Sequence, residues 1–226
     1  SSPTSTVSGL TLGANTFRWT LLNGVCADSQ DDVIITRNDP SVAPTGVTGI
    51  TTICNGGSTT LTVSGGIIGT GAIVEWFTGS CGGTSAGAGN SITVSPIATT
   101  IYFVRYSGNC NTTTCVSQTI TVNPIPQGSL TANGPFCGTD AGTGTLTFTA
   151  PINTGPYSLI LQDQNSNIYN LSGIVSGTPF IAPGSPITAT KTYTINNLMD
   201  ANSCVRSSGY TVGSATITIN PAATVN

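Results

Sequence analysis

The sequence predicts an all-β chain built from tandem β-sandwiches, and three observations carry that expectation. One strand ending occurs three times: Asp32-Val33-Ile34-Ile35-Thr36-Arg37-Asn38-Asp39-Pro40, then Ser117-Gln118-Thr119-Ile120-Thr121-Val122-Asn123-Pro124, then Ser214-Ala215-Thr216-Ile217-Thr218-Ile219-Asn220-Pro221. Each copy alternates apolar and polar residues, as a strand with one buried face does. Each closes on a proline, which lacks the N–H needed to extend a ladder. The prolines are 84 and then 97 residues apart (124 − 40 and 221 − 124), the length of small sandwich domains. Finally, Thr, Ser, Gly and Asn stand where a helical protein carries Glu, Lys and Ala, and no segment of about 10 residues or more has helical periodicity.

Residues 1–40 read as the C-terminal part of an incomplete domain. Gly9 to Gly13 is a turn, residues 16–22 alternate with Phe17, Trp19 and Leu21 on one face, and a tip at 23–28 leads to the closing strand. Two strands bury too little to stand alone, so the missing strands are expected from chain before Ser1 or from another chain. Trp19 is assigned to the core of that completed domain. Residues 44–124 read as a complete domain, with strands at 46–53, 58–64, 72–78, 91–95, 100–107 and 116–123 and a Gly/Ser/Ala-rich loop over 79–90. Trp76, on the third strand, is assigned to its core, where sandwiches of this size place a central aromatic. Residues 127–221 form another domain, with strands near 128–133, 144–150, 156–162, 167–174, 185–190, 192–199 and 214–220.

A second landmark joins the two complete domains. Ser95-Pro96-Ile97-Ala98-Thr99-Thr100-Ile101-Tyr102 matches Ser185-Pro186-Ile187-Thr188-Ala189-Thr190-Lys191-Thr192-Tyr193. It reads as a crossing between sheets followed by a strand that opens on a core tyrosine, Tyr102 or Tyr193, whose hydroxyl returns to the backbone. The short proline-containing linkers at 39–44 and 124–127 predict semi-rigid connections, with the domains end to end.

The 226 residues hold one Glu, seven Asp, one Lys, four Arg and no His, a net charge of −3. That excludes a basic nucleic-acid footprint, and no apolar run reaches the roughly 18 residues a membrane span needs. Without histidine, Ser-His-Asp and Cys-His activation are excluded. Glycoside hydrolysis by paired carboxylates needs two positioned acids, and Glu75 is the only Glu, expected on a strand facing solvent or the opposite sheet face, so no catalytic residue is assigned. The Gly-rich run at 82–89 lacks the lysine and following helix of a phosphate loop.

Seven cysteines lie in turns, none with the CxxC spacing of zinc or redox sites, so structural disulfides of a secreted protein are expected. A bridge needs Cα atoms within about 7 Å. In a seven-stranded sandwich the turn before the second strand and the end of the third strand share one pole, and the last hairpin lies at the other. This assigns Cys54–Cys81 and Cys110–Cys115. Cys137–Cys204 is the assignment for the last domain, although the same logic puts those two at opposite poles and leaves open bridges across domain junctions. Cys26 is then left to bond a residue outside the chain.

Several stretches resemble the immunoglobulin-like repeats of very large Bacteroidetes surface proteins: Thr51-Thr52-Ile53-Cys54-Asn55-Gly56-Gly57-Ser58, Glu75-Trp76-Phe77-Thr78-Gly79-Ser80-Cys81 and Asn109-Cys110-Asn111-Thr112-Thr113-Thr114-Cys115. Phe17-Arg18-Trp19-Thr20 with Asn23-Gly24-Val25-Cys26, and Met199-Asp200-Ala201-Asn202-Ser203-Cys204, are similar to a neighbouring repeat type. The resemblance implies an all-β fold of tandem immunoglobulin-like β-sandwiches arranged end to end, type IX secretion, and display at the extracellular cell surface. It also implies a role as gliding-motility adhesin or filament, with neighbouring repeats of the same polypeptide or filament as partners.

Beside this structural reading the sequence offers weaker candidate sites. Asp28, Asp31 and Asp32 are hard oxygen ligands close in sequence, a weak calcium candidate against the commoner reading as solvated tip acids; no other metal or cofactor is expected. Surface glycans are an alternative partner if two or three aromatics from Trp76, Phe77, Tyr102, Phe103 and Tyr106 share an open face. Assembly by strand exchange is a third reading. Asn111-Thr112-Thr113 and Asn170-Leu171-Ser172 fit a glycosylation acceptor pattern. Lys191, the one lysine, allows at most one Lys–Asp or Lys–Asn isopeptide link.

Overall fold

The computed structural model describes residues 6–138, 143–152 and 154–222. Among them the secondary structure is all strand, with no helix. The chain divides into two compact units, 1–122 and 123–226.

The first unit opens with a hairpin. β1 (Gly13–Leu21) and β2 (Ser29–Arg37) pair antiparallel from Gly13↔Arg37 to Leu21↔Ser29. Directly opposed residues share a face, so Phe17, Trp19, Leu21, Val33 and Ile35 form an apolar face, and Arg18 and Asp32 lie on the other. The expected core position of Trp19 is not met: its ring is 42% exposed and Leu21 is 72% exposed. Among the described residues no second sheet crosses this face, and a two-stranded ribbon cannot enclose a ring by itself.

The middle sandwich is built from β3 (Gly46–Thr48), β4 (Thr52–Cys54), β5 (Thr59–Ser64), β6 (Ile73–Thr78), β7 (Thr84–Ala88), β8 (Ser91–Val94), β9 (Thr100–Ser107) and β10 (Val116–Asn123). One sheet has the order β4-β10-β9-β6-β7 and the other β3-β5-β8. The single strand expected over 46–53 is two. Gly49, at φ +143°, breaks it where an added Cβ would stand 2.5 Å from the Thr60 carbonyl oxygen, and the chain changes sheets there. The loop expected over 79–90 contains β7, an edge strand on β6 whose register shifts between Trp76 and Phe77. Its Ser, Ala and Gly residues suit an edge, where little is buried on the outer side.

The second unit contains β11 (Ser129–Ala132), β12 (Phe136–Cys137), β13 (Thr145–Thr149), β14 (Tyr157–Asp163), β15 (Ile168–Ile174), β16 (Pro179–Ile181), β17 (Lys191–Met199), β18 (Val205–Arg206), β19 (Ser214–Ile217) and β20 (Ile219–Asn220). One sheet is β11-β13-β16; the other is β15-β14-β17-β18 with β19 also on β17, and β12 pairs parallel to β20. The strand expected over 185–190 is absent. That stretch is the crossing between sheets, and it plugs the core with Ile187, 2% exposed. β16, unforeseen, takes its place on β13.

Both cores are closed. Leu61, Trp76, Val104 and Ile120 are at 0% exposure in the middle sandwich, as are Leu146, Phe148, Leu159, Leu161, Tyr193 and Ile217 in the second unit.

Candidate functional site

Of the aromatic residues that would make a glycan platform, Trp76, Tyr102 and Tyr106 turn inward, while Phe77 and Phe103, opposite each other on β6 and β9, lie on the outer face, Phe103 half-buried. Trp76 lies fully in the core and donates from Nε1 to the Gly89 carbonyl (2.9 Å). Tyr102 and Tyr106 are buried with it, and Tyr106 donates its hydroxyl to the Gly65 carbonyl (2.8 Å). Burial pushes both phenols up from their ordinary range. On the outer face Phe77 is 8% exposed and lies under the Arg105 guanidinium at 4.8 Å, and Arg105 is paired with Glu75 (3.0 Å). Trp19 is the one exposed aromatic among the described residues. A shallow groove of about 380 Å³ on the second sandwich, lined by Ile160, Asn170, Asn197 and Met199, has no aromatic ring. Tyr193 buries its ring and donates its hydroxyl back to the Pro183 carbonyl, the tyrosine-corner arrangement.

The disulfides differ from the expected set. Cys81 is bonded to Cys115, with Cα atoms 5.9 Å apart. This replaces both Cys54–Cys81 and Cys110–Cys115. The physical reason is the path of the β6–β7 turn. It folds back over Arg105 (a Cβ on Gly82 would lie 3.2 Å from the guanidinium), whereas the pole argument has it run on past the strand end. Val116 is opposite Val104, and Arg105 follows it in β9, so Cys115 opens β10 beside the folded turn. Cys54 and Cys204 are each disulfide-bonded, whereas Cys26, Cys110 and Cys137 are exposed thiols. Cys137–Cys204 is therefore also not formed.

The three tip acids do not converge. Strand alternation puts Asp31 and Asp32 on opposite faces of β2. Asp32 accepts both Nε (2.8 Å) and Nη2 (2.9 Å) of Arg18, which holds its carboxyl below the ordinary range. Asp28 accepts the Asn23 N–H, and Asp31 accepts the Asp32 N–H. Asp31 and Asp32 line one open cavity with Arg18 and Gln30, but among the described residues no group of three metal-ligating side chains forms, so the three acids do not make a calcium site together.

The densest polar cluster lies in the second sandwich. The Asp163 side chain has no exposure and accepts from Lys191 Nζ (3.1 Å), the Tyr169 hydroxyl (2.9 Å) and the backbone and side-chain N–H groups of Asn167. Lys191 also donates to the Tyr169 hydroxyl (2.9 Å) and lies 5.2 Å from the Tyr193 ring centroid. Burial alone would push the Asp163 carboxyl up; the donors from Asn167, Tyr169 and Lys191 outweigh it and hold it well below the carboxylate range. Burial opposes the Lys191 charge too, and Tyr169 and Asp163 overcome it, so its ammonium is held well above the lysine range. An isopeptide link would form Nζ–Cγ and expel water, which needs a neutral amine and a protonated acid. This environment stabilises the opposite forms, so the arrangement is an ionic clamp across β14 and β17.

The sign of its pH dependence follows. A depressed folded pKa contributes stability that is complete above the unfolded value, about 4, and is lost as pH falls through the folded value. Asp163→Asn should therefore lower the thermal midpoint at pH 7, and that deficit should shrink progressively below about pH 4. Calorimetry of both chains across acid pH checks this; a constant deficit down to pH 2 would contradict it.

The linkers are gripped by the domains they enter. At the first, Asn111 accepts the Ser41 N–H on Oδ1 (2.7 Å) and donates Nδ2 to the Ser41 carbonyl (2.9 Å). Ser41 Oγ accepts the Gly69 N–H (2.9 Å), and Thr70 bonds both backbone groups of Asp39. At the second, Arg206 Nε donates to the Pro126 carbonyl, and Gln127 Nε2 donates to the Gly209 carbonyl. In each case a side chain from the last hairpin region holds the incoming chain. Asn111 fits a glycosylation acceptor pattern, yet both ends of its amide are committed to Ser41. Arg206 belongs to no sequence motif that marks it. Asn111→Ala should cost about 1–3 kcal/mol through the buried groups it leaves unpaired and should raise amide exchange at Ser41. Gly69→Ala should release the same strap, because its Cβ would stand 2.4 Å from the Asp39 carbonyl oxygen. Hydrogen exchange restricted to 38–44 is the readout, and unchanged protection in both variants would refute the grip.

Residues 40–124 match the family model of the Ig-like domain described as CHU_C associated, and the tandem units are immunoglobulin-like β-sandwiches. No curated protein sequence matches the chain. Among solved structures, one described as "Structural insight into host cell surface retention of a 1.5-MDa bacterial ice-binding adhesin" is 15% identical with a TM-score of 0.44, over 91% of this chain and 74% of that one. A second, "Biofilm associated protein - BSP domain", is 14% identical with a TM-score of 0.26, over 80% of this chain and 30% of that one.

Proposed function

We propose that this chain is a non-catalytic stalk segment of a secreted cell-surface adhesin or extracellular filament. The observation that carries the reading is the pair of linker grips, Asn111 on Ser41 and Arg206 on Pro126. A connection pinned by its own domain transmits tension and direction instead of acting as a free hinge. The match of residues 40–124 to an Ig-like repeat family supports the same reading, as does the commitment of the polar clusters to holding strands together. Export by type IX secretion and a part in gliding motility are the finer form of this proposal.

Single-molecule stretching tests it. The chain should give discrete unfolding events, and the middle sandwich should release about 120 Å less when oxidised than when reduced, because Cys81–Cys115 spans 34 residues. Featureless extension at low force would refute the stalk reading. Binding to a glycan array that is lost in Met199→Ala, at the groove, would favour a ligand-binding module instead.

A further inference from the structure

The chain holds three Asn-Gly pairs, at Asn23, Asn55 and Asn133. In such a pair the side-chain amide is open to attack by the following backbone nitrogen, because glycine brings no Cβ to crowd the approach and turns freely. The fold gives the three pairs different surroundings. Asn133 is committed: its Oδ1 accepts the Thr145 N–H (2.6 Å), its Nδ2 donates to the Thr143 carbonyl (3.5 Å), and a Cβ on Gly134 would lie 3.3 Å from the Phe136 ring. Asn55 is exposed but sits inside a turn that the Gly57 N–H closes on the Cys54 carbonyl (2.8 Å), between buried Ile53 and buried Thr59. Asn23 stands at the tip of the first hairpin, where every residue from 21 to 30 is exposed. Only its main chain is engaged there, the N–H on Asp28 (3.1 Å) and the carbonyl by the Cys26 N–H (3.1 Å). Gly24 has φ +65°, and a Cβ on it would meet nothing within 4 Å, so the space needed for ring closure is empty. At two Asn-Ser pairs the attacking nitrogen is itself tied down: the Ser166 N–H donates to the Asp163 carbonyl (2.9 Å) and the Ser203 N–H to the Asp200 carbonyl (3.0 Å).

We propose that Asn23 is a site of spontaneous modification in the folded chain, where the tip of the first hairpin turns from amide to carboxylate. The Gly24 nitrogen attacks Asn23 Cγ and the N–Cγ bond forms. The side-chain nitrogen leaves as ammonia, taking the proton that the Gly24 nitrogen gives up. Water then adds to one of the two carbonyls of the cyclic imide, and the ring opens to aspartate or isoaspartate. No oxidant, reductant or second protein enters the balance. Either product puts a new carboxylate beside Asp28, which accepts the residue 23 N–H, and like charges at that range repel. The isoaspartate also runs the main chain through Cβ, so the turn closed by Cys26 on residue 23 is taken apart. The strand register, which ends at Leu21↔Ser29, lies outside the altered turn and should hold. The inference goes beyond the stalk reading by giving the tip a charge and a shape that change with the age of the molecule.

The test ages the purified full chain in neutral buffer made with heavy-oxygen water, beside the same chain unfolded in urea. Peptide mapping then separates asparagine, aspartate and isoaspartate at positions 23, 55 and 133, and each conversion carries one oxygen from the solvent. Position 23 should convert first in the folded chain, at nearly its unfolded rate, and as a mixture of both products. Position 133 should be slowed about tenfold or more by folding, because two hydrogen bonds of ordinary net strength must open before the ring can close. Position 55 should fall between them. Gly24→Ala should slow conversion at 23 and leave 55 and 133 as they were. An Asn23 that stays intact in the folded chain while it converts in urea, or earlier conversion at 55 or 133, would overturn the proposal. So would an unchanged rate in Gly24→Ala, which would mean direct hydrolysis of the amide in place of ring closure. None of these results bears on the stretching of a single chain, so the stalk reading stands or falls separately.

Discussion

Trp76→Ala should destabilise the middle sandwich by about 3–5 kcal/mol, much of the 5–15 kcal/mol typical of a domain. The ring has no exposure and is packed among Leu61, Val74, Ile92, Val104 and Ile120, residues from both sheets. Removing it opens a cavity that two hydrogen-bonded sheets cannot collapse around without losing register. It also leaves the Gly89 carbonyl without the indole donor. Trp76→Phe separates the two effects: it keeps most of the apolar volume, loses the hydrogen bond, and should cost less than half as much. Denaturation followed by hydrogen exchange resolves the two units, and only amides of the 44–124 sandwich should lose protection. A loss below about 1 kcal/mol would mean that Trp76 is not the centre of this core.

Replacing both Cys81 and Cys115 by serine should cost the same sandwich about 3–4 kcal/mol on the chain-entropy estimate for a 34-residue loop. The bond ties the β6–β7 turn to the start of β10, so its loss should also loosen the edge strand β7 and uncover Phe77. Cys110→Ser, at an exposed free thiol, is the matched control and should leave the midpoint unchanged. An unchanged midpoint in the double variant, or a mapped peptide joining Cys81 to Cys54 or Cys110, would refute the bridge as drawn.

These two residue sets differ in how far the sequence alone exposes them. Trp76 was legible because period-2 alternation within one strand fixes which side chains share a face, and a Trp flanked by Val74 and Glu75 on a central strand belongs to the core. The three closing strands were legible for the same reason, with proline marking each end. So was the apolar face of the first hairpin, although the sequence could not say what covers Trp19. Cysteine pairing was not legible. It depends on where a turn travels after its strand ends, and the β6–β7 turn folds back over Arg105 instead of continuing to the pole. The sheet switch at Gly49, the edge strand β7 and the crossing plugged by Ile187 were hidden likewise, because each is set by neighbours far away in sequence.

Alone, the sequence determined strand periodicity, repeat length and the absence of histidine. The tertiary structure alone decided which polar side chains meet. Asn111 found Ser41 across 70 residues, and Lys191 found Asp163 across two strands, while Asp28, Asp31 and Asp32, neighbours in sequence, were sent apart. Alternation is a local property of a strand, enforced by backbone geometry, and can be read residue by residue. Pairing between side chains is fixed by register and by the course of turns, which only the assembled sheets specify.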